Sequence, residues 1–350
     1  MFKLLINQKP IIKIMALTIL VIVFVLPLFI SSPTVMQILI LIVFYAYLTS
    51  CWNFVGGFAG VLPLGHAAFV GIGAYTSTAL YLTYGLSPWF GMIFGGIVAA
   101  IAGIIIGLPT LRLRGAYFAL ATIAVGEGMR VLFENIERIG PFEIRGPKGL
   151  LINLVSGNSF SHFQFSSKYP YFYIILIMLI FVLLLTYIMM NSKVGYYLAA
   201  AGEDPEASES LGIKVSRYKL IAMILSCFFT ALGGTFYAQL MLYFYPKSIF
   251  GLNLSFEIAF IALIGGRGTI LGPVLGALLL RPIGEITRIY LSSSLPGLHL
   301  IIYGLILVIV MRYQPRGIIE PISKLIKKYI IDPFDKTQSG DKESTFIDNK

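Results

Sequence analysis

The sequence predicts an all-α fold, a polytopic bundle of about ten membrane-crossing helices with both termini cytoplasmic. Three observations carry that expectation. Of 350 residues, 57% are hydrophobic and only 12% are charged, about half the charge of a soluble domain. Apolar runs of membrane length recur along most of the chain. The basic residues fall between those runs and at the chain ends, so the net charge of +10 reads as cytoplasmic loops and not as a nucleic-acid surface.

A bilayer core takes roughly 20 apolar residues per helix, and the runs follow in order. The first, 11–30, comes after Lys3, Lys9 and Lys13 and has the outline of a signal peptide. It is too long for one, and no small-residue cleavage site precedes Pro33, so it is expected to be a retained span. Spans at 35–56, 64–84, 88–108 and 115–134 come next, with Arg112 and Arg114 in an interior turn. The 135–170 segment then falls outside, although it carries Arg138, Arg145, Lys148 and Lys168 against Glu137 and Glu143. Further spans are expected at 171–190, 217–243, 253–266, 270–291 and 298–312. The 253–266 run is short and ends in glycines, which marks it as a candidate re-entrant or broken span. Arg312, Arg316, Lys324, Lys327 and Lys328 close the last span on the inside. Residues 1–332 thus read as one transmembrane domain, and the polar 333–350 tail as a disordered extension.

Much enzyme chemistry is missing. The three histidines, His66, His162 and His299, have no metal spacing, and Cys51 and Cys227 sit in or beside apolar runs. No glycine loop ends in Gly-Lys-Ser/Thr, so the chain has no nucleotide site of the P-loop kind, and no cofactor or metal is expected. The aspartates, Asp204 and four beyond residue 331, all lie outside the spans. An intramembrane enzyme would show a polar catalytic cluster, which this sequence lacks.

Charges within the spans are costly and serve as functional candidates. Glu127 and Arg130 are three apart, and Arg281, Glu285 and Arg288 are spaced four and three, so each set can pair on one helix face. Glu257 has no partner on its own helix and stands near the start of the short eighth span, at a candidate outer mouth. His66, Glu127 and Glu257 are therefore the candidate pathway or gating residues, with a hydrogen bond across helices as the plainer role for His66. Gly65, Gly71, Gly73, Gly265, Gly266, Gly268 and Gly272 are expected to let helix backbones approach closely in lipid.

The longest interior loop, about 191–216, is the most informative stretch. After Gly195, Glu203 and Asp204 precede Pro205, so Asp204 can cap a helix with Pro205 in its first turn and Glu206 at its positive end. Ala207, Glu209 and Leu211 follow, Gly212 ends the helix, and Ile213 leads to the next span. A short capped helix between two spans can transmit a push from a partner; an ordinary interfacial helix would look the same.

Residues Glu209-Ser210-Leu211-Gly212-Ile213, followed by Val215, Ser216, Arg217, Tyr218 and Lys219, resemble the cytoplasmic loop of branched-chain amino acid ABC transporter permeases. Further stretches match in order: Gly65-His66-Ala67-Ala68-Phe69 with Gly71, Gly73, Ala74 and Tyr75, and Arg112-Leu113-Arg114-Gly115-Ala116-Tyr117-Phe118 with Thr122, Gly126, Glu127 and Arg130. Gly265-Gly266-Arg267-Gly268-Thr269-Ile270-Leu271-Gly272-Pro273 and Pro315-Arg316-Gly317 complete a likeness spanning roughly residues 40–317. The Arg-Leu-Arg-Gly stretch and the segment ending Gly146-Pro147-Lys148-Gly149-Leu150 look more like the LivM-like of the family's two permease subunits. The resemblance implies a multi-pass subunit of the bacterial inner membrane that imports branched-chain amino acids, or relatives such as urea or short amides. It further implies a homologous second permease, two cytoplasmic ATPases that bind the ATP, and an external solute-binding protein. The loop at 191–216 would then dock into an ATPase. Tyr196, Ala199 and Gly202 stand where the family commonly has arginines, which shifts the expected contact toward Glu203, Asp204 and the helix body. The residues by themselves leave open a stand-alone secondary transporter or channel for a small polar solute.

Overall fold

In the computed structural model, the description covers residue 18 and residues 21–30, 32–154, 159–291, 298–314 and 317–321. Arg316, Lys324, Lys327, Lys328, the N-terminal lysines, the 333–350 tail and the side chains of Arg288 and His299 lie outside it, as do residues 11–17, 19 and 20 of the first predicted span.

The described part of that span ends in a 3-10 turn, Leu26–Phe29. It is tied to a later helix: Tyr169 donates its hydroxyl to the carbonyl of Ile30 at 2.9 Å. Helix α1, Pro33–Asn53, is apolar on all sides and buried over most of its length, the expected signature of a central helix. It runs on into a π-helical turn, Phe54–Phe58. Trp52 is wholly buried there and donates its indole N–H to Pro63 O at 2.8 Å, closing the irregular segment back on the helix.

Helices α2, Ala67–Tyr84, and α3, Pro88–Thr110, form a hairpin around Gly85. Along α3, Gly91, Gly95, Ala99, Gly103 and Gly107 recur every fourth residue and make one small-residue stripe. A Cβ on Gly95 would come within 3.1 Å of Gly73 Cα on α2, and one on Gly103 within 2.7 Å of Cys227 Sγ. Helix α4, Ala116–Asn135, keeps Tyr117, Leu120, Val131 and Leu132 exposed, as a lipid-facing helix would.

Two short pairings then interrupt the helices. Strands β1, Arg138–Ile139, and β2, Phe142–Glu143, form a hairpin, and β3, Leu150–Leu151, waits for a strand ninety residues on. Arg145 and Arg138 hydrogen-bond Glu143 and hold its carboxyl below the ordinary carboxylate range. Helix α5, Tyr169–Met190, leads to α6, Lys193–Glu203, and α7, Pro205–Ser210. The long α8, Val215–Met241, packs against α1, α2 and α3 at the centre. Strand β4, Tyr243–Phe244, pairs antiparallel with β3, Leu150 facing Phe244. A one-turn helix α9, Pro246–Ile249, is separated at Phe250 and Gly251 from α10, Leu252–Gly266. The short eighth span is thus the inner part of a broken unit, Pro246–Gly266, 21 residues long. Helices α11, Gly272–Leu291, and α12, Leu298–Tyr313, close the description.

Among the described residues, six helical units are long and apolar enough to cross a membrane. Helices α2, α11 and α12 coincide with three further predicted spans but are shorter, more polar or more charged. The chain is an all-α polytopic bundle, and the sheets among the described residues are two antiparallel two-stranded pairs.

Candidate functional site

Two regions stand apart from lipid-facing surface and plain core. The first lies at the end of the bundle where α5 turns into α6. Gly195 makes that turn tight: a Cβ there would meet the Met189 carbonyl at 2.5 Å. Leu198 and Ala201 bury the inner side of α6, and the Tyr197 and Tyr218 rings meet at 5.0 Å to hold it against α8.

At Asp204 the backbone is extended, with φ −141° and ψ 98°, before a new helix begins. Its Oδ1 accepts hydrogen bonds from the backbone N–H groups of Glu206 at 3.1 Å and Ala207 at 3.0 Å, satisfying two otherwise open donors. Gly212, at φ +84°, ends α7 as the residue past the C-cap, and Ile213 N–H returns to Ser208 O at 3.0 Å. The capped helix predicted from sequence is therefore present, preceded by a second helix that the sequence did not separate from it. Glu203, Asp204, Glu206, Ala207 and Glu209 are exposed, Ile213 is half-buried, and Leu211 projects with 82% of its surface free. Arg114, from the α3–α4 turn, pairs with Glu206.

The inner side of this segment touches irregular backbone. Gly202 lies on the end of the π turn: a Cβ on it would come 2.7 Å from Phe58 O. On the other side of that turn, Asn53 clamps the α10–α11 loop. Its Nδ2 donates to Thr269 O at 2.8 Å, and its Oδ1 accepts from Gly268 N–H at 2.9 Å. Gly268 has φ +73°, a conformation a side chain would strain. Gly317 N–H bonds Gln314 O at 2.8 Å, and Ile318 N–H bonds Ile264 O at 2.9 Å, so the chain after α12 closes over the same loop. Gly265 and Gly272 face each other too closely for any side chain, as do Gly65 with Thr122 O, Gly71 with the Phe250 ring and Gly73 with Ala231. Gly266 and Gly272 make the loop's own tight contact.

The second region is a buried group of charges between α1, α10 and α11. Arg281 bonds Glu257 at 3.3 Å and also pairs with Glu285 one turn on. Its guanidinium carbon sits 3.8 Å above the Tyr45 ring centre. All three ionic side chains are less than a tenth exposed. Glu257 therefore has a partner, supplied by the neighbouring helix. The signal was available: α10 and α11 form a hairpin around residues 268–269, and 257 and 281 are nearly equidistant from it. Cavities of about 190 and 170 Å3 adjoin the group and share Tyr45, Tyr237 and Glu257.

The other two candidates are scaffold-bound. His66 Nε2 lies 2.7 Å from Thr230 Oγ1 and 3.4 Å from Ser226 Oγ, and Ser226 also donates to Cys51 O at 2.7 Å, linking α1, α2 and α8. Glu127 pairs with Arg130 at 2.7 Å, which also takes Glu134 at 2.7 Å, a member the sequence pairing did not include. Among the described residues no cluster of His, Cys, Asp and Glu has the make-up of a metal site.

A buried helical bundle with a capped, exposed loop at one end and a charged cavity within it defines a multi-pass integral membrane protein of the permease class. The chain belongs to the family of branched-chain amino acid transport system permease components, whose sequence profile matches residues 34–311. It is 32% identical over 325 residues to the high-affinity branched-chain amino acid transport system permease protein LivM of Escherichia coli, covering 88% of this chain and 75% of that protein. It is also similar to the nucleoside ABC transporter permease protein NupC of Lactococcus lactis, 28% identical over 63% of this chain and 71% of the relative. The fructose import permease protein FrcC of Rhizobium meliloti is 27% identical over 71% of this chain and 75% of its own length. No solved structure matches.

Proposed function

We propose that this chain is the non-catalytic membrane subunit of an importer for branched-chain amino acids in the inner membrane, driven by ATP hydrolysis on separate chains. The observation that carries the mechanism is the backbone contact of Gly202 with Phe58 and Gly60. It links the exposed 191–216 segment to the π turn Phe54–Phe58, and π turns recur at functional sites. In this reading a cytoplasmic ATPase seats on Leu211 and the acidic face of Glu203, Glu206 and Glu209. Its movement pushes α6 against the π turn. Asn53 carries the displacement into the Gly268 loop and thence to α10 and α11. A homologous second permease, a second ATPase and an external solute-binding protein complete the assembly. The glycines supply close packing, His66 and Glu127 serve the scaffold, and Glu257 faces the solute pathway.

The substrate assignment is supported by the LivM relative at 32% identity; relatives named for nucleoside and fructose show that other solutes occur among similar permeases. Charge reversal at both Glu206 and Glu209 tests the coupling segment. The expected result is loss of co-purifying ATPase and about tenfold slower uptake, within the 5–150-fold range of a typical coupling energy. Retention of both ATPase and uptake would remove the docking role from this segment.

A further inference from the structure

We infer that the outer face of α4 is the surface on which the second permease packs, and that this partner is a homologue and not a second copy of the chain. The inference rests on the reading of a two-permease importer. It specifies which helix carries the contact and what the partner brings to it.

Tyr117, Leu120, Ala124, Gly128 and Val131 are exposed and follow one another at three- and four-residue steps, so they share one side of the helix. The opposite side is occupied within the chain. Thr122 and Gly126 are buried there, and a Cβ on Gly126 would come within 3.2 Å of Gly65 Cα. The ends of the outer face are apolar, as lipid requires, but its middle is not. Glu127 borders Ala124 and Val131 on the helix surface and pairs with Arg130, which also takes Glu134. These three side chains remain 24–32% exposed. Glu127 stands about 16 Å of helical rise from Ala116 and about 12 Å from Asn135, deep within a hydrocarbon core of about 30 Å. An ionised carboxylate open to acyl chains at that depth is costly, and such groups face protein or water.

Two neighbouring helices show what a lipid face looks like in this chain. Helices α3 and α5 contain no charged residue, and Ile97, Ile101, Phe181 and Leu184 are among their exposed positions. Helix α4 is also the least buried of the six membrane-length units. At the depth of Glu127 its surface is flattest: Ala124 and Gly128 are four apart, and a Cβ on Gly128 would meet nothing within 4 Å among the described residues. Small residues at that spacing let a second helix approach closely, so the groove and the ionic patch coincide. Depth selects the occupant. An ATPase on the 191–216 segment and a solute-binding protein at the other end lie outside the hydrocarbon, which leaves a second membrane subunit. In a two-fold pair of identical chains the same patch meets itself, setting Glu127 against Glu127 at one depth. A homologue can instead place a basic or hydrogen-bond-donating side chain there. The contact continues toward the coupling segment, since α4 follows the turn where Arg114 pairs with Glu206.

The test uses the complete complex, this chain with its second permease, ATPases and binding protein, in native membranes. A benzophenone amino acid is placed singly at Leu120 and Val131, which flank the groove, and at Ile97 and Phe181 as lipid-facing controls. Light then joins each position to whatever touches it, and mass spectrometry identifies the adduct. Expected are adducts with the second permease from Leu120 and Val131 and none from the two controls. Gly128→Leu fills the groove without meeting any described atom of this chain, so its own fold is expected to persist while the Leu120 adduct is lost. Glu127→Lys should weaken the same adduct more than Glu127→Gln, because the partner's side chain at that depth is basic or a donor. Adducts with lipid alone, with a second copy of this chain, or in equal yield from the controls overturn the inference. So does an undiminished Leu120 adduct in Gly128→Leu. A complex that contains no second permease overturns the two-permease reading itself, whereas a second permease captured from Ile97 or Phe181 overturns only the assignment to α4.

Discussion

Replacing Gly202 by valine is expected to lower uptake per ATP hydrolysed by about tenfold or more while the complex stays assembled. The reason is geometric. A Cβ at 202 would lie 2.7 Å from Phe58 O, 3.3 Å from Ala59 C and 3.4 Å from Gly60 N, and all three are backbone atoms. No side-chain rotation relieves that overlap, so α6 must back away from the π turn. Nothing on the outer face of the segment changes: Leu211 remains exposed, and the Asp204 cap lies beyond the displaced contact. Docking and ATP hydrolysis are therefore expected to persist without transport. Gly202→Ala should give a smaller loss of the same kind. Measuring ATPase rate and uptake on one preparation separates the outcomes, since a failure to dock lowers both together. An unchanged ratio in the valine variant would show that the contact does not transmit the push.

Arg281→Leu alone is expected to destabilise the chain by about 3–5 kcal/mol, the usual cost of removing one partner from a buried ion group. Both Glu257 and Glu285 depend on this guanidinium, and both are almost wholly buried. Thermal melting of the purified protein checks the effect, and adding both Glu257→Leu and Glu285→Leu should recover much of the loss. Arg138→Leu is the control. Its pairing with Glu143 at 2.7 Å is largely exposed, so a far smaller change in melting is expected.

The sequence made the helices legible because lipid imposes one rule on every span: enough consecutive apolar residues to cross it. It also made the Asp204 cap and the Gly212 stop legible, because capping depends on neighbours within a few residues. Long-range pairing was not legible in the same way. Strands β3 and β4 meet across about ninety intervening residues, and Leu150 and Phe244 carry no local sign of each other. Residue spacing reveals only pairs along one helix, whereas the cation of Glu257 stands across a hairpin. Gly202 illustrates the opposite error. Against the family's commoner arginine it read as a missing contact, yet it is the residue that lets α6 reach the core. The break at Phe250 and Gly251 was half legible: the glycine-rich, short run signalled an irregular span, but not that the interruption precedes the run.

The central claim is that this chain moves its solute with energy delivered from outside itself, through the 191–216 segment. The most direct measurement reconstitutes it in liposomes twice, once with its second permease alone and once with ATPases and binding protein added, and follows labelled leucine. The account predicts no accumulation in the first case under any imposed proton or sodium gradient, and ATP-dependent accumulation in the second. Gradient-driven accumulation without ATPase subunits would contradict it.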